Sequence, residues 1–172
     1  RGCEFDATVG GSRDGKITHY QVHEVQDGGA YPLVGAVLPF ISRQMATGVY
    51  DIANVDYSFQ SVMTNTVPMG AYRGAGRPEA AHAIERMVDR FALEIDMDPA
   101  EVRRRNFIAP ADFPFTTPMG AAMDSGEYAG ALDLVMDAVD YDGLRAEQQR
   151  RRDDPAAPLL GRWKMLDNLR RT

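Results

Sequence analysis

The sequence predicts an α+β fold: an antiparallel hairpin and one or more further strands packed with several helices. Three observations predict it. Residues 4–9 and 16–25 carry strand-like runs on either side of a short polar turn. Residues 57–64 alternate between apolar and polar side chains, the two-residue period of a half-buried strand. Ala81, Ile84, Val88, Phe91 and Ile95 recur at the spacing of one helical face.

In chain order, Glu4 to Val9 and Lys16 to Val25 form the hairpin, and Ser12, Arg13, Asp14 and Gly15 supply its turn chemistry. Val34 to Gly48 is apolar enough for a buried helix, with Pro39 weakening its first half. Tyr57 to Thr64 is the next strand. Pro78 suits the first turn of the helix that carries Ala81 to Ile95. Asp98-Pro99-Ala100-Glu101 resembles a capping box with proline at the first helical position. Ala109 to Pro118 reads as loop, and Glu127 to Val139 as a helix through Ala131, Leu134, Val135 and Ala138. Residues 1–140 are expected to form one partial domain and 141–172 a helical, basic C-terminal segment. That segment holds eight basic and five acidic residues, in a chain whose net charge is −6. An exposed helical face explains it better than a nucleic-acid patch does, and Arg150 to Pro155 reads as the end of a solvated helix and a linker.

Composition excludes several function classes. With 44% hydrophobic residues the chain can fill a core. Its acidic balance argues against nucleic acid as a partner. The single cysteine, Cys3, forms no internal disulfide, which fits a reducing, cytoplasmic compartment. No apolar run has the length of a membrane span, and no basic-then-apolar signal opens the chain.

The densest chemistry lies in Pro68-Met69-Gly70-Ala71-Tyr72-Arg73-Gly74-Ala75-Gly76-Arg77-Pro78-Glu79-Ala80, just ahead of the helix. Glycine serves where backbone takes positive φ or approaches another group closely. Arginine offers a fixed fork of donors to oxyanions. A loop of these residues ending at a helix N-terminus suits a bound anion, although a plain glycine-rich turn also explains the glycines. Two generic motifs fail: a dinucleotide-binding Gly-x-Gly-x-x-Gly from Gly74 would end on Glu79, and no Gly-Lys-Ser/Thr exists, since the lysines are Lys16 and Lys164. His19 and His23 share a strand face but stand ~13 Å apart, too far for one ion. With His82 alone on its helix, no metal ligands are assigned.

Ala71-Tyr72-Arg73-Gly74-Ala75-Gly76-Arg77 resembles the active-site loop of the molybdenum hydroxylases, the family of xanthine dehydrogenase and aldehyde oxidase. The likeness is nearest to the form II, carbon-monoxide-dehydrogenase-like large subunit. Asp27-Gly28-Gly29-Ala30-Tyr31, Tyr50 to Val55, Thr64-Asn65-Thr66, Asp98-Pro99 and Arg103-Arg104-Arg105-Asn106-Phe107 resemble family sequence too. The resemblance covers roughly residues 1–161. From about 162, after Leu159-Leu160-Gly161, the tail looks foreign to the family.

The resemblance implies a segment of the molybdopterin-binding domain, with molybdopterin, as the cytosine dinucleotide in bacterial members, held partly by Gly70, Tyr72, Arg73, Gly74, Ala75, Gly76 and Arg77. It implies that Arg73 is catalytic, placed beside the molybdenum centre where its charge stabilises developing negative charge. Gly74 and Ala75 would line the substrate face through their backbones, Tyr72 would pack behind the loop, and Arg77 would tie the loop to cofactor or substrate. Iron–sulfur and flavin subunits or domains would be partners, with a small-molecule substrate. The family's copper-binding branch has Cys where Gly74 stands, and glycine has no side chain for a soft metal. The purine-oxidising branch has an aromatic at Ala75 and an arginine near Ile41, with Arg43 close by in this sequence. An aldehyde or N-heterocycle therefore fits better than carbon monoxide or purine. The family's glutamine loop is expected before residue 1 and its catalytic glutamate beyond residue 172, so the chain alone is expected to be inactive. The alternative is a truncated remnant that only folds or self-associates, as a homo-oligomer, through exposed apolar surface.

Overall fold

The computed structural model describes residues 2–153, and the chain divides into two compact units, Arg1–Tyr128 and Ala129–Thr172. The tail expected to depart from the family at about 162, and the linker at Asp154-Pro155, lie outside the described residues.

The first unit is α+β, as expected. Strands β1 (Cys3–Gly11) and β2 (Ile17–Gly29) pair antiparallel, and β3 (Asn54–Met63) runs parallel to β2 on its other edge. The turn closes through the Gly15 N–H donating to the Ser12 carbonyl at 3.0 Å, and Gly15 takes φ +92 there. A parallel pair needs a crossover, and residues 30–53 supply it with a 3-10 turn (Val34–Val37) and helix α1 (Leu38–Gln44). This replaces the single buried helix expected over 34–48. Pro39 lies in the first turn of α1, where its missing N–H costs nothing, so it starts a short helix instead of weakening a long one. Only Leu38, Pro39 and Ser42 of α1 are buried, while Leu33, Val34, Val37 and Phe40 face outward.

Helix α2 (Arg77–Glu94) lies on one face of the sheet, and α3 (Pro99–Asn106) packs on α2. The Asp98 carboxylate caps α3 by accepting from the Ala100 N–H at 2.6 Å. Ile84, Val88, Phe91 and Ala92 of α2 meet Ile17, Tyr20, Val22 and Tyr57 of the sheet and Val102 of α3. Burial of each large aliphatic here stabilises the fold by roughly 1.5–3 kcal/mol. The sheet's other face carries His19 and His23. His23 Nδ1 bonds the Ser58 hydroxyl at 2.9 Å and His19 Nδ1 the Thr18 hydroxyl at 2.8 Å.

The motif Arg103-Arg104-Arg105-Asn106-Phe107 holds the far end together. Arg103 donates to Glu85 Oε2 through Nε at 2.9 Å and Nη2 at 2.6 Å, and to Asp89 at 2.8 Å. Tyr50 donates to Glu85 Oε1 at 2.8 Å and stacks on Phe107 with ring centroids 5.6 Å apart. The segment expected as loop over 109–118 contains the first strand of a small ribbon, β4 (Phe115–Thr116) with β5 (Ala122–Met123).

The second unit holds α4 (Tyr128–Ala138), which begins on the last residue of the first, and α5 (Tyr141–Asp153). Leu134 and Val135 supply the helical period of α4 yet are exposed. An ion pair between Arg150 and Glu147 at 3.1 Å lies along α5. No described helix is long and apolar enough to cross a membrane.

Candidate functional site

The loop before α2 is seated by three close backbone approaches that only glycine allows. A Cβ on Gly29 would lie 2.5 Å from the Val67 carbonyl oxygen. One on Gly35 would lie 2.3 Å from the Met69 carbonyl oxygen, and one on Gly76 2.7 Å from Ile41 Cβ and 2.8 Å from Ser42 N. Real Cβ atoms do not approach so closely, so the crossover and α1 form a bed for residues 67–76.

Asp27 ties the same segments together. Its Oδ1 accepts from the Gly29 N–H at 2.8 Å and the Thr64 hydroxyl at 2.6 Å, while Oδ2 accepts from the Thr66 hydroxyl at 2.8 Å. The backbone adds Ala30 N–H to Thr66 O at 3.1 Å and Thr64 N–H to Gly29 O at 3.1 Å. Asp27-Gly28-Gly29 and Thr64-Asn65-Thr66, far apart in sequence, thus make one knot. The Thr64 hydroxyl, then the Gly29 N–H and the Thr66 hydroxyl, hold the Asp27 carboxyl below its ordinary value. A depressed carboxyl pKa contributes stability above the unfolded value of about 3.9 and loses it as pH falls through the folded one. In a pH series the Gly29 amide proton is therefore expected to titrate with a midpoint below the aspartate range. A midpoint in that range would show that the knot does not form.

The loop itself is two successive turns. The Ala75 N–H donates to the Tyr72 carbonyl at 2.8 Å and the Arg77 N–H to the Gly74 carbonyl at 2.9 Å. Gly74 (φ +88) and Gly76 (φ +80) take backbone conformations that suit glycine. Gly70 needs glycine for neither reason: its φ is not left-handed and nothing lies within 4 Å of an added Cβ. Tyr72, Arg73, Ala75, Pro78 and Glu79 line a shallow cavity of about 260 Å³. Of the residues predicted to hold cofactor, Gly70, Gly74, Gly76 and Arg77 flank this cavity in sequence without lining it. The expectation that Tyr72 packs behind the loop is corrected: its ring is 79% exposed, because the turn at 72–75 directs it outward. Arg73 and Arg77 are exposed, and among the described residues neither guanidinium has an ion-pair or hydrogen-bond partner. The described residues contain no group of three or more His, Cys, Asp or Glu able to hold a metal.

Two carboxylates escape the sequence reading. Glu79 lines the cavity in the first turn of α2. Glu24 is fully buried on the inward face of β2, where Oε2 accepts from the Tyr57 hydroxyl at 2.6 Å. The signal for Glu24 was its parity: it falls in register with the inward Tyr20 and Val22.

The family model of the molybdopterin cofactor-binding domain matches residues 1–107. The chain is 43% identical over 164 residues to the carbon monoxide dehydrogenase large chain of Hydrogenophaga pseudoflava, covering 93% of this chain and 20% of that protein. It is 35% identical over 143 residues to the nicotine 6-hydroxylase large subunit of Paenarthrobacter nicotinovorans, covering 81% of this chain and 17% of that one. The crystal structure of quinoline 2-oxidoreductase from Pseudomonas putida 86 superposes with TM-score 0.81 at 30% identity, over 88% of this chain and 20% of that one. A Cu,Mo-CO dehydrogenase structure gives TM-score 0.80 at 34% identity, over 89% of this chain and 20% of that one. The chain thus spans about a fifth of the length of these relatives. The family model's match over residues 1–107, together with these relatives, leads to one conclusion: the chain belongs to the molybdopterin cofactor-binding domain family.

Proposed function

We propose that this chain is a segment of a molybdopterin-dependent oxidoreductase large subunit and contributes the loop 70–77 to a hydroxylase molybdenum centre. The observation that carries this reading is the pair of guanidinium groups of Arg73 and Arg77, unpartnered among the described residues and held on a two-turn loop at the N-terminus of α2. That donor set fits an anionic cofactor, since guanidinium forks and a helix N-terminus both favour phosphate and related oxyanions. When bound, molybdopterin, read here as the cytosine dinucleotide, supplies the metal and the redox chemistry. Arg73 then holds a fixed positive charge where negative charge develops, with its loop already ordered and little left to reorganise. Arg77 and the backbone of Gly70, Gly74 and Gly76 hold the cofactor's polar edge, and Tyr72 and Ala75 border the substrate space. The exposed Tyr31, Leu33, Val34, Met63 and Val67 fit a surface that the rest of a large subunit covers. Iron–sulfur and flavin partners accept the electrons, in the cytoplasm.

The substrate reading is an aldehyde or N-heterocycle. Gly74 offers no thiolate for copper, and its φ of +88 would strain a cysteine placed there. Nicotine 6-hydroxylase and quinoline 2-oxidoreductase are named for N-heterocycles, which supports that half of the reading. The assembled enzyme carrying this sequence, assayed with an electron acceptor, is expected to hydroxylate an N-heterocycle or an aldehyde and to leave carbon monoxide unoxidised. Oxidation of carbon monoxide would overturn the substrate reading. The 172-residue chain by itself is expected to show no turnover, and activity without added subunits would overturn that.

A further inference from the structure

We propose that Glu24 lies beneath the cofactor loop as a neutral carboxylic acid, paired with Glu79, and serves as a positioning residue for Glu79 and the loop. Glu24 is 0% exposed. Its Oε2 accepts from the Tyr57 hydroxyl at 2.6 Å, and its buried Oε1 has no hydrogen-bond partner among the described residues. An ionised carboxylate left half-satisfied in a buried site is costly, and taking up a proton relieves that cost.

The groups that act on it come from four elements: Cys3 on β1, Tyr57 on β3, Ser42 on α1 and Glu79 on α2. None is a cation. Burial, the largest cause, raises the Glu24 pKa, and the charge of Glu79 raises it further; Tyr57, Ser42 and Cys3 act in the opposite direction. Tyr20, beyond Val22 on the same inward face, has its own phenol pushed up by burial.

Position links this cluster to the loop. Ser42, which acts on Glu24, is the residue whose backbone N would lie 2.8 Å from a Cβ on Gly76. Glu79 follows Gly76 within the first turn of α2, where the helix dipole favours negative charge. The two surroundings therefore differ: Glu79 stands in the cavity wall, and Glu24 is fully buried on the inward face of β2. A neutral Glu24 adds no second negative charge behind the cavity wall that Arg73 and Glu79 share. The importance of that balance for cofactor binding rests on the reading of the loop given above, whereas the existence of the pair does not.

The test is a carbon NMR titration of the chain labelled at glutamate Cδ, without cofactor. The Glu24 resonance is expected to titrate above the ordinary glutamate value and to move down in Glu79→Gln. Should that variant fail to fold, Glu79→Ala removes the same charge. Glu24→Gln, an isostere of the neutral acid, is expected to keep the wild-type amide shifts of Gly76 and Arg77, and Glu24→Ala to lose them. An ordinary midpoint for Glu24 overturns the neutral acid. A raised midpoint that removal of Glu79 leaves unmoved overturns the pair. Equal loop shifts in Glu24→Gln and Glu24→Ala overturn the positioning role. Each result stands whether or not the chain retains molybdenum, so it is separable from failure of the functional reading.

Discussion

Replacing Asn106 by alanine is expected to destabilise the chain by about 3–5 kcal/mol, enough to unfold much of a domain whose total stability is typically about 5–15 kcal/mol. Asn106 is 0% exposed at the end of α3. Its Oδ1 accepts from the Ile17 N–H at 2.8 Å, and its Nδ2 donates to the Gly15 carbonyl at 2.7 Å and the Val102 carbonyl at 2.8 Å. One side chain thereby ties the hairpin turn, the first residue of β2 and α3. Truncation removes three bonds and leaves the Ile17 donor buried without its partner, and each orphaned buried group costs more than the mean worth of its bond. Asn106→Asp separates shape from donor pattern, because it keeps the acceptor but sets an oxygen against two carbonyls; it is expected to be no better than alanine. Denaturant unfolding checks both. A loss under 1 kcal/mol for Asn106→Ala would mean that α3 is held by its apolar packing and the Arg103 ion pairs, not by Asn106.

Gly76→Ala is expected to cost about 3 kcal/mol, from strain at φ +80 and the displacement of α1 that its Cβ would force. Ile41 Cβ and Ser42 N would lie 2.7 and 2.8 Å away, and Ser42 N is backbone, which cannot swing aside as the end of a long side chain can. The damage falls on the first turn of α2 and hence on the geometry of Arg73, Arg77 and Glu79 together. Gly70→Ala is the internal control: with open space around it, its cost is expected to stay within about 0.5 kcal/mol. If the two variants unfold alike, the loop is not seated through Gly76.

The contrast between these glycines shows what the sequence could reveal. The hairpin, the strand at 57–64, α2 and the cap of α3 were legible because their signals are local: turn residues, period and an N-cap aspartate. The parallel placement of β3 was not, since pairing direction depends on how the crossover packs. The split of 34–48 into a 3-10 turn and a short helix turned on Pro39, read as weakening a helix where it instead begins one. The loop's residues announced chemistry, but which glycines matter for its shape depends on Ile41, Val67 and Met69, neighbours known only from the fold. Tyr72 was placed behind the loop by resemblance alone, and the fold leaves it exposed. Glu24 and Glu79 were missed for a related reason. A carboxylate acquires unusual chemistry from its surroundings, and Cys3, Ser42 and Tyr57 converge on Glu24 only after folding.

The proposed role of Arg73 and Arg77, on a glycine-seated loop, is to hold the molybdopterin cofactor. Its most direct test is the molybdenum and cytosine-nucleotide content of the purified chain, wild type beside Arg73→Ala/Arg77→Ala, from a host that makes the cofactor. The account predicts both components in near-stoichiometric amounts in the wild type and at least about a tenfold loss in the double variant at unchanged fold, given the roughly 1.5–3 kcal/mol of each charged hydrogen bond. Equal molybdenum in the two proteins, or none in a correctly folded wild type, would contradict it.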